Sequence, residues 1–259
     1  MPEDLPAASA QAGPLAPLVR FLVIALLLLD GLFTALHLLI YRWHLVKERV
    51  AWQMFDLGSE CNLPTWYASI LWFLAALAAV GCYAVRAGSP LQRRHDKLWL
   101  LIAAAFLVAS ADEVASVHEE VGSYLQGEAS GLGLSSVVSA ASPHSPWIIF
   151  YAPFLVAFAV FLVAFLWQRL AFSIWLRLLL VLAIECYALA VGLDYYQGLS
   201  PADQDVVAQL FALSTRRFVE TSIVIEETLE NIGTSLLVIV FSACVNQKLA
   251  EQKGNKGAV

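Results

Sequence analysis

Six long apolar segments dominate the pattern of hydrophobic and polar positions along the chain. Each reaches the roughly 20 residues that a helix needs to cross a bilayer. They cover residues 19–41, 65–86, 98–120, 147–168, 175–196 and 218–245. A soluble helical core is disfavoured, because a chain of 259 residues cannot bury six such runs in its interior. The pattern therefore predicts an all-α membrane protein with six transmembrane helices.

The residues that flank these segments predict an orientation. Tryptophans fall at the segment ends, where an interfacial aromatic belt would place them; they are Trp43, Trp66, Trp99, Trp147, Trp167 and Trp175. Ten of the fifteen Lys and Arg residues lie on the side that holds both chain termini. Cytoplasmic loops carry the excess of Lys and Arg, so both termini are predicted to be inside the cell. We expect a multi-pass protein of the cell (inner) membrane.

The parts outside the apolar segments are short. We expect a disordered tail over residues 1–17, a single transmembrane domain over 18–246 and a cytoplasmic tail over 247–259. Ser200 and Pro201 are suited to a helix start, which predicts a short interfacial helix near 201–215. The segment 121–146 is rich in Gly and Ser, and we expect it to form a flexible lid.

Composition narrows the classes of function. Charged residues make up 14% of the chain, against about 25% in soluble domains, and the net charge is −6. A negative chain lacks the basic footprint that nucleic acid requires, so membrane lipids are the expected surroundings. The four cysteines form no CxxC or Cys/His zinc pattern.

The third segment ends in an unusual run of ionisable groups. Asp112, Glu113, His118, Glu119 and Glu120 follow directly on an apolar stretch. A charged group in hydrocarbon costs on the order of 2.5–3.5 kcal/mol, so such groups are seldom accidental. In a continuous helix the four carboxylates share an arc of about 120°, with His118 to one side of it. The run predicts one acidic wall of a polar cavity.

The sixth segment repeats this feature. Glu226, Glu227 and Glu230 lie close together near its start, beside Asn231. Three carboxylates that close in a medium of low dielectric cannot all be charged unless a cation compensates them. The sequence predicts that this helix faces the acidic wall of the third segment.

The first segment carries a polar stripe. Asp30, Thr34, His37 and Tyr41 follow one another at three or four residues, so they share one helix face. A carboxylate seven residues before an imidazole can orient it, as in many metal sites. We therefore expect His37 to face the cavity.

The remaining candidates lie on the second and fifth segments. Glu60 and Asn62 precede the second segment and are expected at the cavity mouth. On the fifth segment, Glu185 and Asp194 lie on nearly opposite faces, so only one can join the site. We expect Glu185, near the middle, to join it and Asp194 to be a helix-end residue.

Depth unites the candidates. When the six segments alternate in direction, ten candidate residues on separate segments all fall between the midplane and one surface. These residues are Asp30, His37, Glu60, Asp112, Glu113, His118, Glu185, Glu226, Glu227 and Glu230. A single outward-facing cavity explains this agreement between separate helices.

Each candidate receives a role under this hypothesis. The catalytic candidates are Glu113, Glu227 and His37. The candidate metal ligands are Asp112, Glu113, His118, Glu227, Glu230 and Glu185. The mouth is assigned to Glu60, Asn62, Glu119 and Glu120, and the other polar lining to Asp30, Thr34, Glu226 and Asn231.

Three functions remain open. Carboxylates with imidazole suit a divalent metal such as Fe, Mn or Zn, which favours a membrane metalloenzyme acting on a lipid-like substrate. The alternatives are a small cation or proton transporter or relay, and a non-catalytic subunit of a larger membrane complex. A di-iron bundle is excluded because no Glu-x-x-His pair occurs. The Glu-Glu-x-x-x-Arg motif of CAAX-type intramembrane proteases is also not met, since Asn231 stands at the arginine position.

Overall fold

The structure, a computed structural model, describes residues 15–43, 48–85, 96–131 and 146–257, and all regular structure in these ranges is helical. The helices are α1 (Ala16–His37, extended by a π-helical turn at Leu38–Arg42), α2 (Arg49–Phe55), α3 (Leu63–Ala84), α4 (Leu98–Ala115), α5 (Val117–Gly131), α6 (Pro146–Arg169), α7 (Ile174–Gln197), α8 (Pro201–Leu210) and α9 (Thr215–Gly257). Six of them, α1, α3, α4, α6, α7 and α9, are long and apolar enough to cross a membrane. The expected all-α multi-pass membrane fold is confirmed.

Helix α9 is the central element of the bundle. It packs against α1, α3, α7 and α8, while α3 also packs against α4. Its six residues from Leu236 to Phe241 are all buried. With 43 residues it is about 65 Å long, roughly twice the hydrocarbon thickness, so it projects well beyond the apolar layer.

The spanning helices alternate in direction, and contacts between their ends show which ends share a side. At one end, Gln197 of α7 donates a hydrogen bond to Glu226 of α9, and the His118 ring packs against Trp147 of α6. We call this the acidic end. At the opposite end, the backbone N–H of Leu15 donates to Asn246 of α9. The cytoplasmic placement of the opposite end stays a prediction.

The opposite end contains a buried ion network. Asp96, just before α4, is only 4% exposed. Its carboxylate lies 3.4 Å from Lys248 Nζ on α9 and 4.0 Å from an Arg169 guanidinium nitrogen on α6. Lys248 also donates a hydrogen bond of 2.7 Å to the backbone carbonyl of Cys82 on α3. The network therefore connects α3, α6 and α9 with the start of α4.

The short helix predicted near 201–215 is present as α8. The Ser200 hydroxyl accepts a hydrogen bond from the backbone N–H of Asp203, as an N-cap residue does, and Pro201 opens the helix. After Leu210 the backbone turns through Ala212, whose φ is 54°. Residues 247–257 continue α9 as helix. The tail at 1–14 lies outside the described residues. The same holds for the side chain of Arg42 and for Lys47, Arg86, Arg93 and Arg94, on which the predicted orientation partly rests.

The third apolar segment differs from the continuous helix that its pattern predicts. Helix α4 ends at Ala115, Ser116 adopts a left-handed conformation with a φ of 47°, and α5 begins at Val117. The Gly-rich sequence up to Gly131 is helical instead of a loop, while residues 132–145 of the expected lid lie outside the described ranges. The shared acidic face of 112–120 therefore does not exist as predicted, because the chain changes direction at Ser116.

Candidate functional site

The break at Ser116 is stabilised by Asp112. One carboxylate oxygen of Asp112 accepts a hydrogen bond of 2.8 Å from the backbone N–H of His118, in the first turn of α5. The other lies 2.7 Å from His118 Nδ1. Asp112 thus satisfies an N–H that would otherwise lack a partner at the start of α5, and it also fixes the imidazole ring. Both side chains are partly exposed at the acidic end.

Carboxylates from three chain segments lie close enough to one another beside this pair to interact electrostatically. Glu113 of α4 interacts electrostatically with Glu230 of α9 and with Glu60 of the α2–α3 loop. Glu227 of α9 interacts with Glu230, Glu113 and Glu60. We call these four residues, Glu60, Glu113, Glu227 and Glu230, the carboxylate cluster. The structure thus places carboxylates of the third and sixth apolar segments in one cluster.

The neighbouring turn of α9 closes the cluster toward the interior. The hydroxyls of Tyr187 on α7 and Thr234 on α9 form a hydrogen bond, and Thr234 also donates to the backbone carbonyl of Glu230 at 2.9 Å. Tyr187 itself interacts with the charges of Glu230 and Glu113. Beyond Ser235, α9 is apolar and buried from Leu236 to Phe241. Helix α9 carries no further carboxylate between Glu230 and Glu251.

Two residues of α7 belong to the site although the sequence analysis did not place them there. Gln197 donates a hydrogen bond to the Glu226 carboxylate. Asp194, expected to be only a helix-end residue, interacts electrostatically with Glu226 and Glu230. Asp194 lies seven residues after Tyr187 and so shares its helix face, a spacing that could have identified it.

Two ionisable groups of the site outside the spanning helices have shifted pKa values. Glu60 is exposed at the surface, but partial burial of its carboxyl and repulsion by Glu119 raise its pKa. Burial alone would lower the pKa of His118, but the hydrogen bond to Asp112 and the nearby negative charges outweigh it, so the pKa is raised. Both groups therefore hold a proton more strongly than they would in water.

His37 lies elsewhere. It is 7% exposed, its Nδ1 accepts a hydrogen bond of 3.1 Å from the backbone N–H of Leu57, and Asp56 lies 3.7 Å away. The ring stacks on Tyr41, whose hydroxyl donates to the backbone carbonyl of Trp52. His37 therefore fastens α2 and its following loop to the end of α1, and the structure does not bring it to the carboxylate cluster.

The polar stripe of α1 faces the bundle as predicted, but its members have separate partners. The Tyr67 hydroxyl on α3 donates to Asp30 at 2.6 Å, and the Thr34 hydroxyl bonds that of Thr228 on α9 at 2.9 Å. Asn62 caps α3, since its side chain accepts from the backbone N–H of Thr65 at 3.1 Å. These contacts are structural connections between helices and loops.

The remaining candidates lie at the periphery. Glu119 and Glu120 are exposed on α5, although Glu119 acts on Glu60 and His118. Asn231 is 4% exposed within the bundle, on α9. Glu185 is exposed on α7, on the face opposite the one that packs against α9, and the structure does not bring it to the cluster.

The depth of the cluster follows from helix geometry. The Asp96–Lys248 ion pair marks the end of the bundle opposite the acidic end. Counted from this pair at 1.5 Å per residue, Glu113 lies about 25 Å along α4 and Glu230 about 27 Å along α9. The hydrocarbon core is about 30 Å thick. The cluster therefore lies near one boundary of the apolar layer, within reach of water through Glu60 and His118.

A metal site makes specific demands on the side chains of the cluster. Fe, Mn and Zn require several His, Cys or carboxylate ligands that converge at about 2 Å from the ion. Within the described ranges, no group of three or more such side chains is placed so that it could hold a metal ion. The described residues therefore lack the convergent ligand set that such an ion needs.

The raised pKa of His118 predicts a pH dependence of stability. A group with a higher pKa in the folded state stabilises the fold below its unfolded pKa, about 6.5 for His, and this contribution is lost as the pH rises through the folded pKa. We expect thermal stability in detergent to fall as the pH rises above about 6.5. His118→Gln should reduce this slope, whereas Glu120→Gln, a change at an exposed site of the same helix, should leave it unchanged. An unchanged slope in His118→Gln would contradict the assignment.

Comparison with known proteins gives one match. The model of a protein family described as Domain of unknown function (DUF8692) matches residues 19–245, which include α3, α4, α6 and α7 in full, most of α1 and α9, and the whole carboxylate cluster. No curated protein and no solved structure matches the chain.

Proposed function

The chain belongs to the DUF8692 family, and we propose that it is a membrane protein that binds and exchanges protons at the carboxylate cluster. The observation that carries the proposal is the convergence of Glu113 from α4 with Glu227 and Glu230 from α9 at one boundary of the apolar layer. A proton relay or a small transporter would use such a site. The cluster would take up protons from the water at the acidic end and release them there or into the protein.

The electrostatics of the site support protons as the ligand. The charges that act most strongly on Glu113, Glu227 and Glu230 are other carboxylates and His118, with no Lys or Arg of the described chain among them. Like charges this close in a medium of low dielectric cannot all persist, so the cluster must hold protons or admit a cation. Among these charges only His118 can be positive, and it also pairs with Asp112, so positive charge in the described residues does not balance the carboxylates.

The other hypotheses rank behind this one. A metalloenzyme acting on a lipid-like substrate needs three or more convergent ligands, and the described residues hold no such group. A role as a subunit of a larger membrane complex concerns the outer surface of the bundle and does not explain why carboxylates from separate helices meet.

The proposal is tested by infrared titration of carboxyl groups in the full-length protein in lipid nanodiscs. We expect carboxyl bands that disappear as the pH is raised, and Glu113→Gln and Glu227→Gln should each remove about one titrating carboxyl per protein. Glu220→Gln is the matched control on α9, because Glu220 is exposed and paired with Arg216. It should leave the cluster's bands unchanged.

Two results would overturn the proposal. One is an unchanged titration in Glu113→Gln and Glu227→Gln, which would mean that these carboxyls do not exchange protons. The other is tightly bound Fe, Mn or Zn at one ion per purified protein, lost in the same two variants. That second result would establish a metal site in place of a proton site.

A further inference from the structure

Helix α7 exposes a carboxyl group in the middle of a membrane span. Glu185 lies about midway between Ile174 and Gln197, the two ends of the helix. The buried face of α7, with Ala183, Cys186 and Ala190, packs toward the bundle, and Glu185 points away from it. A carboxyl at this position faces the hydrocarbon of the membrane unless another molecule covers it.

The described residues around Glu185 offer its carboxyl group no hydrogen-bond partner. Within the described part of the chain it forms no hydrogen bond and no ion pair. Its neighbours on the exposed face are Leu178, Leu182, Leu189 and Gly192. Ionisable side chains in spanning helices almost always face protein or water, because hydrocarbon offers no compensation. An uncovered Glu185 would therefore carry a large unfavourable free energy of transfer into hydrocarbon.

The exposed face has the form of a helix-packing seam. Leu178, Leu182, Glu185, Leu189 and Gly192 follow at alternating spacings of four and three residues. This is the spacing at which membrane helices pack at shallow crossing angles, with polar residues as bonding points and small residues as points of close approach. No atom lies within 4 Å of the position where a Cβ on Gly192 would be, so this point of approach is free.

We propose that two copies of the chain pack through this face of α7 and that their Glu185 carboxyls hydrogen-bond to each other. A two-fold axis along the membrane normal places the same residue of both copies at the same depth, so a second copy necessarily brings a matching group. A carboxyl that carries a proton is both donor and acceptor, and two carboxyls can satisfy each other. The described spans have no Lys or Arg near mid-depth that could neutralise Glu185 in any other pairing of copies.

The first test measures the dimer itself, by single-molecule mass measurement and by energy transfer between labelled copies in nanodiscs. We expect the wild type to dimerise and Glu185→Leu to weaken dimerisation about tenfold. Glu185→Gln keeps a donor and an acceptor, so it should stay within about threefold of the wild type. Leucine suits a lipid-facing position, so loss of the dimer in Glu185→Leu would not reflect misfolding.

The second test maps the contact with one introduced cysteine at a time in a Cys61→Ala background, which keeps only the three buried native cysteines. Leu189→Cys, on the proposed seam, should form disulfide-linked dimers under mild oxidation. Val156→Cys is the matched control, because Val156 is 64% exposed on α6 and Leu189 60% exposed on α7. Equal crosslinking at both positions would overturn the proposal. A pure protein that stays monomeric would overturn it as well.

Discussion

Lys248→Met is expected to lower the free energy of unfolding by about 3 kcal/mol. Lys248 lies 3.4 Å from the buried carboxylate of Asp96 and donates to the backbone carbonyl of Cys82, so methionine removes a charge partner and a hydrogen bond together. Removing one member of a buried ion pair leaves the other charge without compensation, which typically costs about 3–5 kcal/mol. Arg169 remains 4.0 Å from Asp96 and keeps the loss at the low end.

The measurement is reversible unfolding of the full-length protein in mixed micelles, followed by the fluorescence of its tryptophans. Lys253→Met is the matched control, because Lys253 is an exposed lysine near the same end of α9. It should change stability by no more than about 0.5 kcal/mol. Asp96→Leu combined with Lys248→Met should recover part of the loss, since the deeply buried carboxylate is then gone and only the partly exposed Arg169 loses a partner. Equal effects of Lys248→Met and Lys253→Met would contradict the network.

The spans and the carboxylate cluster were accessible from the sequence because they depend on long-range regularities. A run of about 20 apolar residues has one physical solution in a membrane, a helix that satisfies its own backbone. Once the spans alternate, the depth of each residue follows by counting. Glu113 and Glu227 therefore had to lie at similar depth, and their meeting needed only that α4 and α9 lie close together.

The break at Ser116 could not be predicted, because it depends on local hydrogen bonds that a helical period does not register. In a continuous helix the Asp112 carboxylate would project from the helix surface. In the structure it accepts a hydrogen bond from the backbone N–H of His118 instead. Short polar side chains compete with helix formation through bonds of this kind. Asn62 likewise became the cap of α3, and His37 an acceptor for the backbone of Leu57, by contacts that only the folded loops create.

The sequence predicted that Glu185 joins the site and Asp194 does not, and the structure shows the reverse for a different reason. A helix that is apolar around its whole circumference gives no signal for its rotation about its own axis. Helix α7 is such a helix, so the sequence shows that Glu185 and Asp194 lie on different faces but not which of them turns inward. Packing of Ala183 and Cys186 against Gly233 of α9 determines the rotation, and it brings Asp194 toward Glu226.

That same packing makes Gly233→Val the second large effect, with an expected loss of about 2–3 kcal/mol in the free energy of unfolding. A Cβ at Gly233 would lie 3.0 Å from a ring carbon of Tyr187 and 3.3 Å from both the backbone carbonyl oxygen of Ala183 and the Cβ of Cys186. Valine adds two methyl groups beyond that Cβ, and the backbone of α7 cannot yield as a flexible side chain can. Helices α7 and α9 must therefore separate.

Gly31→Val provides the control, because Gly31 is exposed on α1 and has no atom within 4 Å of the position of its Cβ. Both substitutions replace glycine by valine inside a spanning helix, so any change in helix propensity is common to them. We expect Gly31→Val to stay within about 0.5 kcal/mol of the wild type in the same unfolding assay. Separation of α7 from α9 should also break the Tyr187–Thr234 hydrogen bond beside Glu230, so Gly233→Val should alter the infrared titration of the cluster as well. A Gly233→Val protein with wild-type stability and titration would show that α7 does not pack on α9 at this point.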